Sequence, residues 1–245
     1  MKNIRLTIEY DGTEYVGWQR QLNGLSIQQV VEESIKKVTG EVTVIYGSGR
    51  TDGGVHARGQ VANFITNSTI PPERFSYALN SVLPADIKII QSIEVDMEFH
   101  SRYSATGKGY KYSMVVCPHG VAIGSNYYYH VRPPLDIDAM IIAANYFKGT
   151  HDFSAFQAFG SSINTTVRTI YEADIKWDIP YLYFTVKGNG FLYNMVRVMV
   201  GTLIKVGKRR ILPTDIPIIL ASKDRLKAGP TAQAKGLSLE EVYYE

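Results

Sequence analysis

The 245-residue chain has a single cysteine, Cys117. One thiol cannot close an intrachain disulfide, so the sequence points to a reducing compartment. Five histidines stand at 56, 100, 119, 130 and 151, none with metal-ligand spacing to another or to Cys117, which argues against zinc. No apolar run is long enough to cross a membrane. The opening residues, MKNIRLTIEYDG, alternate like a strand and lack the apolar centre of a signal peptide. The expectation is a soluble, cytoplasmic protein. No low-complexity linker divides the chain, and neither sign of charge dominates, since 26 Lys and Arg meet 23 Asp and Glu. With 45% apolar and 20% charged residues the sequence reads as globular, of a size for one large domain or two ordinary halves.

What charge there is lies unevenly. Residues 1–104 hold 10 basic and 12 acidic side chains, residues 105–245 hold 16 and 11, so the positive excess sits in the second half. That fits a face for a polyanion without requiring one. The densest chemistry is at 47–60, GSGRTDGGVHARGQ, where one carboxylate, Asp52, stands among five glycines and between Arg50 and His56. Glycines allow close approach of a bulky ligand. The flanking runs VTVIY (42–46) and QVANFIT (60–66) read as strands, so the acid lies on a loop held between two of them. A plain polar hairpin accounts for the same composition.

Two further segments bear on that choice. The run 191–206, FLYNMVRVMVGTLIKV, predicts a helix apolar nearly all round, with Arg197 its one charge before Lys205. Arginine keeps its charge, so it either reaches solvent past the helix or has an anionic partner. Asp52 is the acid most in need of a fixed cation. The run 99–112, FHSRYSATGKGYKY, interleaves aromatics with His100, Arg102, Lys108 and Lys111. On its strand Tyr110, Tyr112 and Met114 share one face, with Lys111 and Ser113 on the other. Aromatic rings stack bases and cations hold phosphates, although tyrosine also favours strands in general.

The remaining elements follow from periodicity and caps. Residues 3–10 read as a half-buried strand. Ser26 and Gln29 form a capping box for a helix to Thr39, stopped by Gly40. Pro71-Pro72 opens a helix ending before Pro84, and 87–95 reads as a strand. Then come strands at 109–116 and 126–133, a helix over 138–147 capped by Asp136 or Asp138, two strands around the turn at Asp178-Ile179-Pro180, the apolar helix, and a short helix after Pro213. The order implies an α+β protein of two similar halves, 1–104 and 105–245. Each is a mostly antiparallel sheet with helices on one face, sharing a continuous sheet or a broad interface.

Together these segments resemble the tRNA pseudouridine synthases of the TruA family, over nearly the whole chain. The family's GRTDAGVHA motif is similar to Gly49-Arg50-Thr51-Asp52-Gly53-Gly54-Val55-His56-Ala57, with Gly53 for alanine. Gly17-Trp18-Gln19, the FH-x-R segment at 99–102, Tyr110, GFL-x-x-MVR at 190–197 and GLSLEEVYY at 236–244 also match. The resemblance implies an extended central sheet with a catalytic cleft and a homodimer with a tRNA anticodon arm across both subunits. It implies that uridines 38, 39 and 40 become pseudouridine, with no metal or cofactor. It assigns Asp52 as the catalytic carboxylate, Tyr110 as the tyrosine stacking on the target base, and Arg197 as the partner of Asp52. Arg50 matches the arginine that flips the base, and Phe99, His100, Ser101, Arg102 and Tyr103 match a tRNA-contacting segment. Arg20, Lys108 and Lys111 complete the expected RNA contacts. The loop 160–164, GSSIN, falls where the family has another such contact, but it carries no positive charge.

The chemistry needs few groups. The N1–C1′ bond breaks, the base turns, and C5 joins C1′. One carboxylate serves as nucleophile at C6 or C1′, or as a base at the ribose. A base in a stem must also be extruded, at a cost of about a few kcal/mol. A non-catalytic RNA-binding α+β protein explains the tyrosines and lysines but gives an arginine-paired Asp52 no role. A uracil methyltransferase built on Cys117 lacks a methyl-donor loop, and a glycosidase needs a second carboxylate. His56 reads as a structural hydrogen-bonder.

Overall fold

The computed structural model describes residues 1–158, 160 and 165–244. Most of the predicted contact loop 160–164 therefore lies outside the described residues. The fold is α+β. In chain order the elements are β1 (Lys2–Tyr10), α1 (Ile27–Thr39), β2 (Tyr46–Gly47), β3 (His56–Thr66), α2 (Phe75–Asn80) and β4 (Ile87–Val95). They continue with β5 (Gly107–Val116), β6 (Tyr129–Val131), α3 (Ile137–Asn145), β7 (Gly149–Asp152), β8 (Val167–Asp178) and β9 (Tyr181–Gly188). The last are α4 (Met195–Gly207), α5 (Asp215–Ser222) and β10 (Leu237–Tyr243).

Two compact units result, one of residues 1–106 with 238–245, the other of residues 107–237. The sequence reading placed the C-terminal residues with the second half; they pack with the first. In the first unit β1 lies between β3 and β4, antiparallel to both. β2 pairs antiparallel with β3, and β10 runs parallel to β3 through Ser238↔His56 and Leu239↔Ala57. The alternation read from residues 3–10 has its cause here, because Ile4, Leu6 and Ile8 are fully buried. Phe75 of α2 meets Phe64 of β3 edge to face at 5.6 Å.

In the second unit β9 lies between β5 and β8, antiparallel to both, and β7 pairs antiparallel with β8. β6 runs parallel to β5. α3 packs on α4 and β8. Tyr112, Met114, Phe184, Val186, Met199 and Leu203 form much of the core.

Caps placed the helices well. Ser26 Oγ accepts from Gln29 N at 3.3 Å and Gly40 ends α1, while Asp136 Oδ1 accepts from Ala139 N at 3.1 Å to begin α3. The capping box is half formed, since Gln29 Nε2 donates forward to Glu33 at 2.9 Å rather than back to Ser26. The strand expected at 42–46 is reduced to β2. Ile45 N donates to Glu32 Oε1 and Ile45 O accepts from Gln28 Nε2, so side chains of α1 take the backbone groups a ladder would use. The strand expected at 126–133 is only β6: a turn from Gly124 to Tyr127 precedes it, and Pro133-Pro134 has no N–H to continue it. The helix expected from Pro72 splits into a 3-10 turn and α2, and Asn80 at its end instead brackets Ile89 N and O of β4.

Candidate active site

The Asp52 loop belongs to the first unit and is held from below. Thr51 O accepts from Trp18 N at 3.0 Å, and Asp52 forms a backbone bridge with Gly17. Gly17 adopts φ +114°, and a Cβ on it would stand 2.5 Å from Thr51 O, so this approach requires glycine. On the other side Ser48 N donates to Val61 O at 2.7 Å, and Val55 N closes the turn onto Asp52 O at 3.1 Å. Thr51 is buried beneath, Asp52 is half-buried, and Arg50 is exposed with Nε donating to Gln19 Oε1 at 3.1 Å. The matched Gly17-Trp18-Gln19 segment is thus the scaffold of the loop, at its backbone and at Arg50. Arg20 beside it faces Glu32 at 3.0 Å.

The FHSRY segment divides into inward and outward members. Ser101 is fully buried, accepts from Tyr244 Oη at its carbonyl (2.6 Å), and donates its hydroxyl to Tyr46 O. Phe99 lies 5.1 Å from the ring of Tyr244, with the Arg5 guanidinium over both. His100 stacks between Tyr46 (5.1 Å) and Tyr103 (4.4 Å), and the Arg102 guanidinium lies over the Tyr103 ring. Tyr103 is 76% exposed, so of the five predicted contact residues Arg102 and Tyr103 are outward and Ser101 is structural.

Tyr110 and Arg197 belong to the second unit. Tyr110 is buried on β5 opposite Val186 and meets Phe191 edge to face at 5.0 Å. The predicted sidedness of β5 is present, with Tyr110, Tyr112 and Met114 buried and Lys108, Lys111 and Ser113 half-buried. Arg197 is half-buried on a helix whose other side chains are mostly buried, so it does not simply reach into solvent. Its Nε donates to Ala232 O at 2.8 Å and its Nη1 to Asn194 Oδ1 at 2.6 Å. Two of five N–H groups are thereby fixed, which sets the plane of the fork. Asn194 stands at the start of α4 in the left-handed region, φ 58°, and its side chain serves Arg197 in place of capping the helix. Segment 228–232 lies directly on α4, and a Cβ on Gly201 would fall 1.7 Å from Pro230 O. Burial pushes the Tyr112 hydroxyl well above its ordinary pKa and Tyr129 adds to this, while Arg197 pulls the other way.

The model of the family described as tRNA pseudouridine synthase matches residues 6–104 and 143–245. A relative from Acetivibrio thermocellus, named tRNA pseudouridine synthase A, is 53% identical over 244 residues and all of both chains. Another of that name from Ruminiclostridium cellulolyticum is 53% identical over all of both chains. One from Clostridium perfringens, named tRNA pseudouridine synthase A 2, is 52% identical over the same share. The chain belongs to the tRNA pseudouridine synthase family. It is therefore an isomerase.

Gly53, the departure from the motif, has no left-handed φ, and a Cβ there would find its nearest atoms at 3.4 Å. An alanine fits without moving the loop. His56 is buried, with Nδ1 3.1 Å from both Asp11 Oδ1 and Gly12 N. It ties the end of β1 to the start of β3, the structural role read from sequence. Cys117 is half-buried just past the end of β5, where its carbonyl meets His130 Nε2 at 2.7 Å. Among the described residues no three of His, Cys, Asp and Glu are grouped to hold a metal ion. No helix among them is long and apolar enough to cross a membrane. A hollow of about 470 Å³ in the second unit is lined by Ser154, Gln157, Lys223 and Arg225 among others, and touches the expected contact loop only at Gly160. Sequence reasoning missed Asn194, whose only signal is an amide before an apolar helix. It also missed the side chains under the loop, Tyr10, Ser48 and Gln60.

Proposed function

We propose that this isomerase of tRNA uridine acts on the anticodon stem-loop, at positions 38, 39 and 40, with Asp52 as its catalytic carboxylate. Tyr110 stacks on the extruded uracil, and Arg197 pairs with Asp52 and favours its ionised form. Arg50 steadies the flipped nucleotide, and Phe99, His100, Arg102, Tyr103, Lys108, Lys111 and Arg20 line the path of the RNA, with Ser101 holding that segment in place. The enzyme works as a homodimer in the cytoplasm, without metal or cofactor.

The observation that carries the reading is the way Asp52 is presented. A half-buried carboxylate at the tip of a loop whose neighbours are pinned by Trp18, Gly17 and Val61 is oriented before substrate arrives. The anchoring of Arg197 by Asn194 and Ala232 supports the same economy of motion, since a guanidinium already held at Nε and Nη1 loses little further freedom on pairing. In the reaction Asp52 attacks C6 or C1′, or takes a ribose proton. The N1–C1′ bond breaks, C5–C1′ forms, and the proton on C5 passes to solvent while N1 gains one. Tritium placed at C5 therefore leaves as water. Tritium release from tRNA labelled at uridine C5 is expected with the intact enzyme. Asp52→Ala is expected to bind tRNA and release none; release at the wild-type rate would overturn the assignment. A non-catalytic RNA-binding protein would release nothing in either form.

A further inference from the structure

Beneath the Asp52 loop lie four buried polar side chains from three places in the sequence. Tyr10 on β1 is 2% exposed, Ser48 1%, Thr51 7%, and Gln60 on β3 is fully buried. Burying a hydroxyl or amide without a partner costs about 1–3 kcal/mol, so such groups are paired with care or replaced. Here they are paired with the loop itself. Tyr10 Oη and Thr51 Oγ1 are 2.7 Å apart. Ser48 Oγ donates to Gln60 Oε1 at 2.7 Å, and Gln60 Nε2 donates to Gly49 O at 2.9 Å. A phenylalanine at 10 and a valine at 51 would fill nearly the same space with no polar burial. The hydroxyls therefore add direction to the loop rather than volume to the core.

We propose that Tyr10 and Thr51 are positioning residues for Asp52, with Gln60 bracing the loop on its other side. This rests on the reading of Asp52 as the catalytic carboxylate. β1 is paired on both edges, so the Tyr10 ring hangs from a rigid rail. Thr51 is gripped twice, at its carbonyl by Trp18 N and at its hydroxyl by Tyr10, and Asp52 is the next residue in the chain. Losing one grip lets residue 51 turn about its backbone and carries the Asp52 carboxylate off its line of attack. Burial raises the Tyr10 pKa far above its ordinary value, so the hydroxyl stays neutral throughout the working range of pH.

The test compares Tyr10→Phe, Thr51→Val, Thr51→Ser and Asp52→Ala in tritium release under single-turnover and steady-state conditions, with thermal melts of each. Misplacement by about 1 Å costs up to about 100-fold in rate. Y10F and T51V are each expected to lower kcat by about 10- to 100-fold while KM for tRNA stays within about twofold. The double variant should fall little further than either single one, because the two side chains share one bond. T51S keeps the hydroxyl and is expected to restore most of kcat. Wild-type kcat in Y10F or T51V, with D52A inactive, overturns the proposal. So does a lowered melting temperature with unchanged kcat in the folded enzyme, which would make the bond merely structural. Release by D52A overturns instead the reading of Asp52 on which the proposal stands.

Discussion

Gly53 is a residue of the loop that could carry a side chain without strain. Its φ lies outside the left-handed region and its nearest prospective neighbours stand at 3.4 Å. Replacing such a glycine by alanine stabilises chiefly by narrowing the unfolded ensemble, by about 0.4–1 kcal/mol. Gly53→Ala is expected to raise the unfolding free energy by that amount in a urea titration and leave tritium release within about twofold of wild type; a lowered unfolding free energy would show that the loop cannot take the methyl. Asp52 could be picked out in the sequence because a lone acid among glycines is unusual, and Arg197 because a lone charge in an apolar helix must be accommodated. Tyr10 and Gln60 could not. Each sits in a strand pattern that explains it fully, and the partner of Tyr10 is 41 positions away. Burial of a hydrogen bond has no local signature. Asn194 escaped for a related reason, since an amide before a helix reads as a cap, and only the fold shows its side chain turned to Arg197.

Among the elements, helices were legible where a side-chain cap and a glycine bounded them, as in α1. Strands were less so, because a strand exists only when a neighbour accepts its ladder. The stretch 42–46 has the right residues, but α1 takes its hydrogen bonds. β7 was invisible for the opposite reason: GTHD has no strand pattern, and β8 supplies the pairing. At its end Asp152 Oδ1 accepts from Ser154 N, Ser154 Oγ and Thr166 Oγ1, and Oδ2 faces Lys223 Nζ at 2.9 Å. Burial works against the ionised form, but the Ser154 and Thr166 hydroxyls and Lys223 outweigh it and hold the carboxyl far below the usual carboxylate range. A depressed pKa gives stability that is complete above the unfolded value, about 3.9, and is lost as pH falls below it. Asp152→Asn should cost about 1–3 kcal/mol at pH 7. Urea titrations at pH 7, 5, 4 and 3 should show the gap to wild type narrowing only below about pH 4. A gap independent of pH would refute this account of the turn.

At the scale of the molecule, the assignment of residues 238–245 to the first unit matters most. GLSLEEVYY was legible as a motif but not as the strand that lies parallel to β3. Ser238 and Leu239 pair with His56 and Ala57, just past the Asp52 loop. Tyr243 O accepts from Thr106 N, and Tyr244 covers Phe99 and bonds to Ser101 O. A chain stopped after Leu237 is expected to lose amide protection at residues 56–61 and 99–106 by about tenfold or more in hydrogen exchange, with α1 less affected. Equal protection in both forms would mean that the segment only decorates the unit. The same placement has a consequence for biosynthesis. A ribosome delivers β1, the loop and β3 long before it delivers their last neighbour, so the emerging chain carries its acid on a platform still missing one edge. Until β10 arrives that edge of β3 stands open to other strands, so the stretch most exposed to mispairing during synthesis is the one beside the loop.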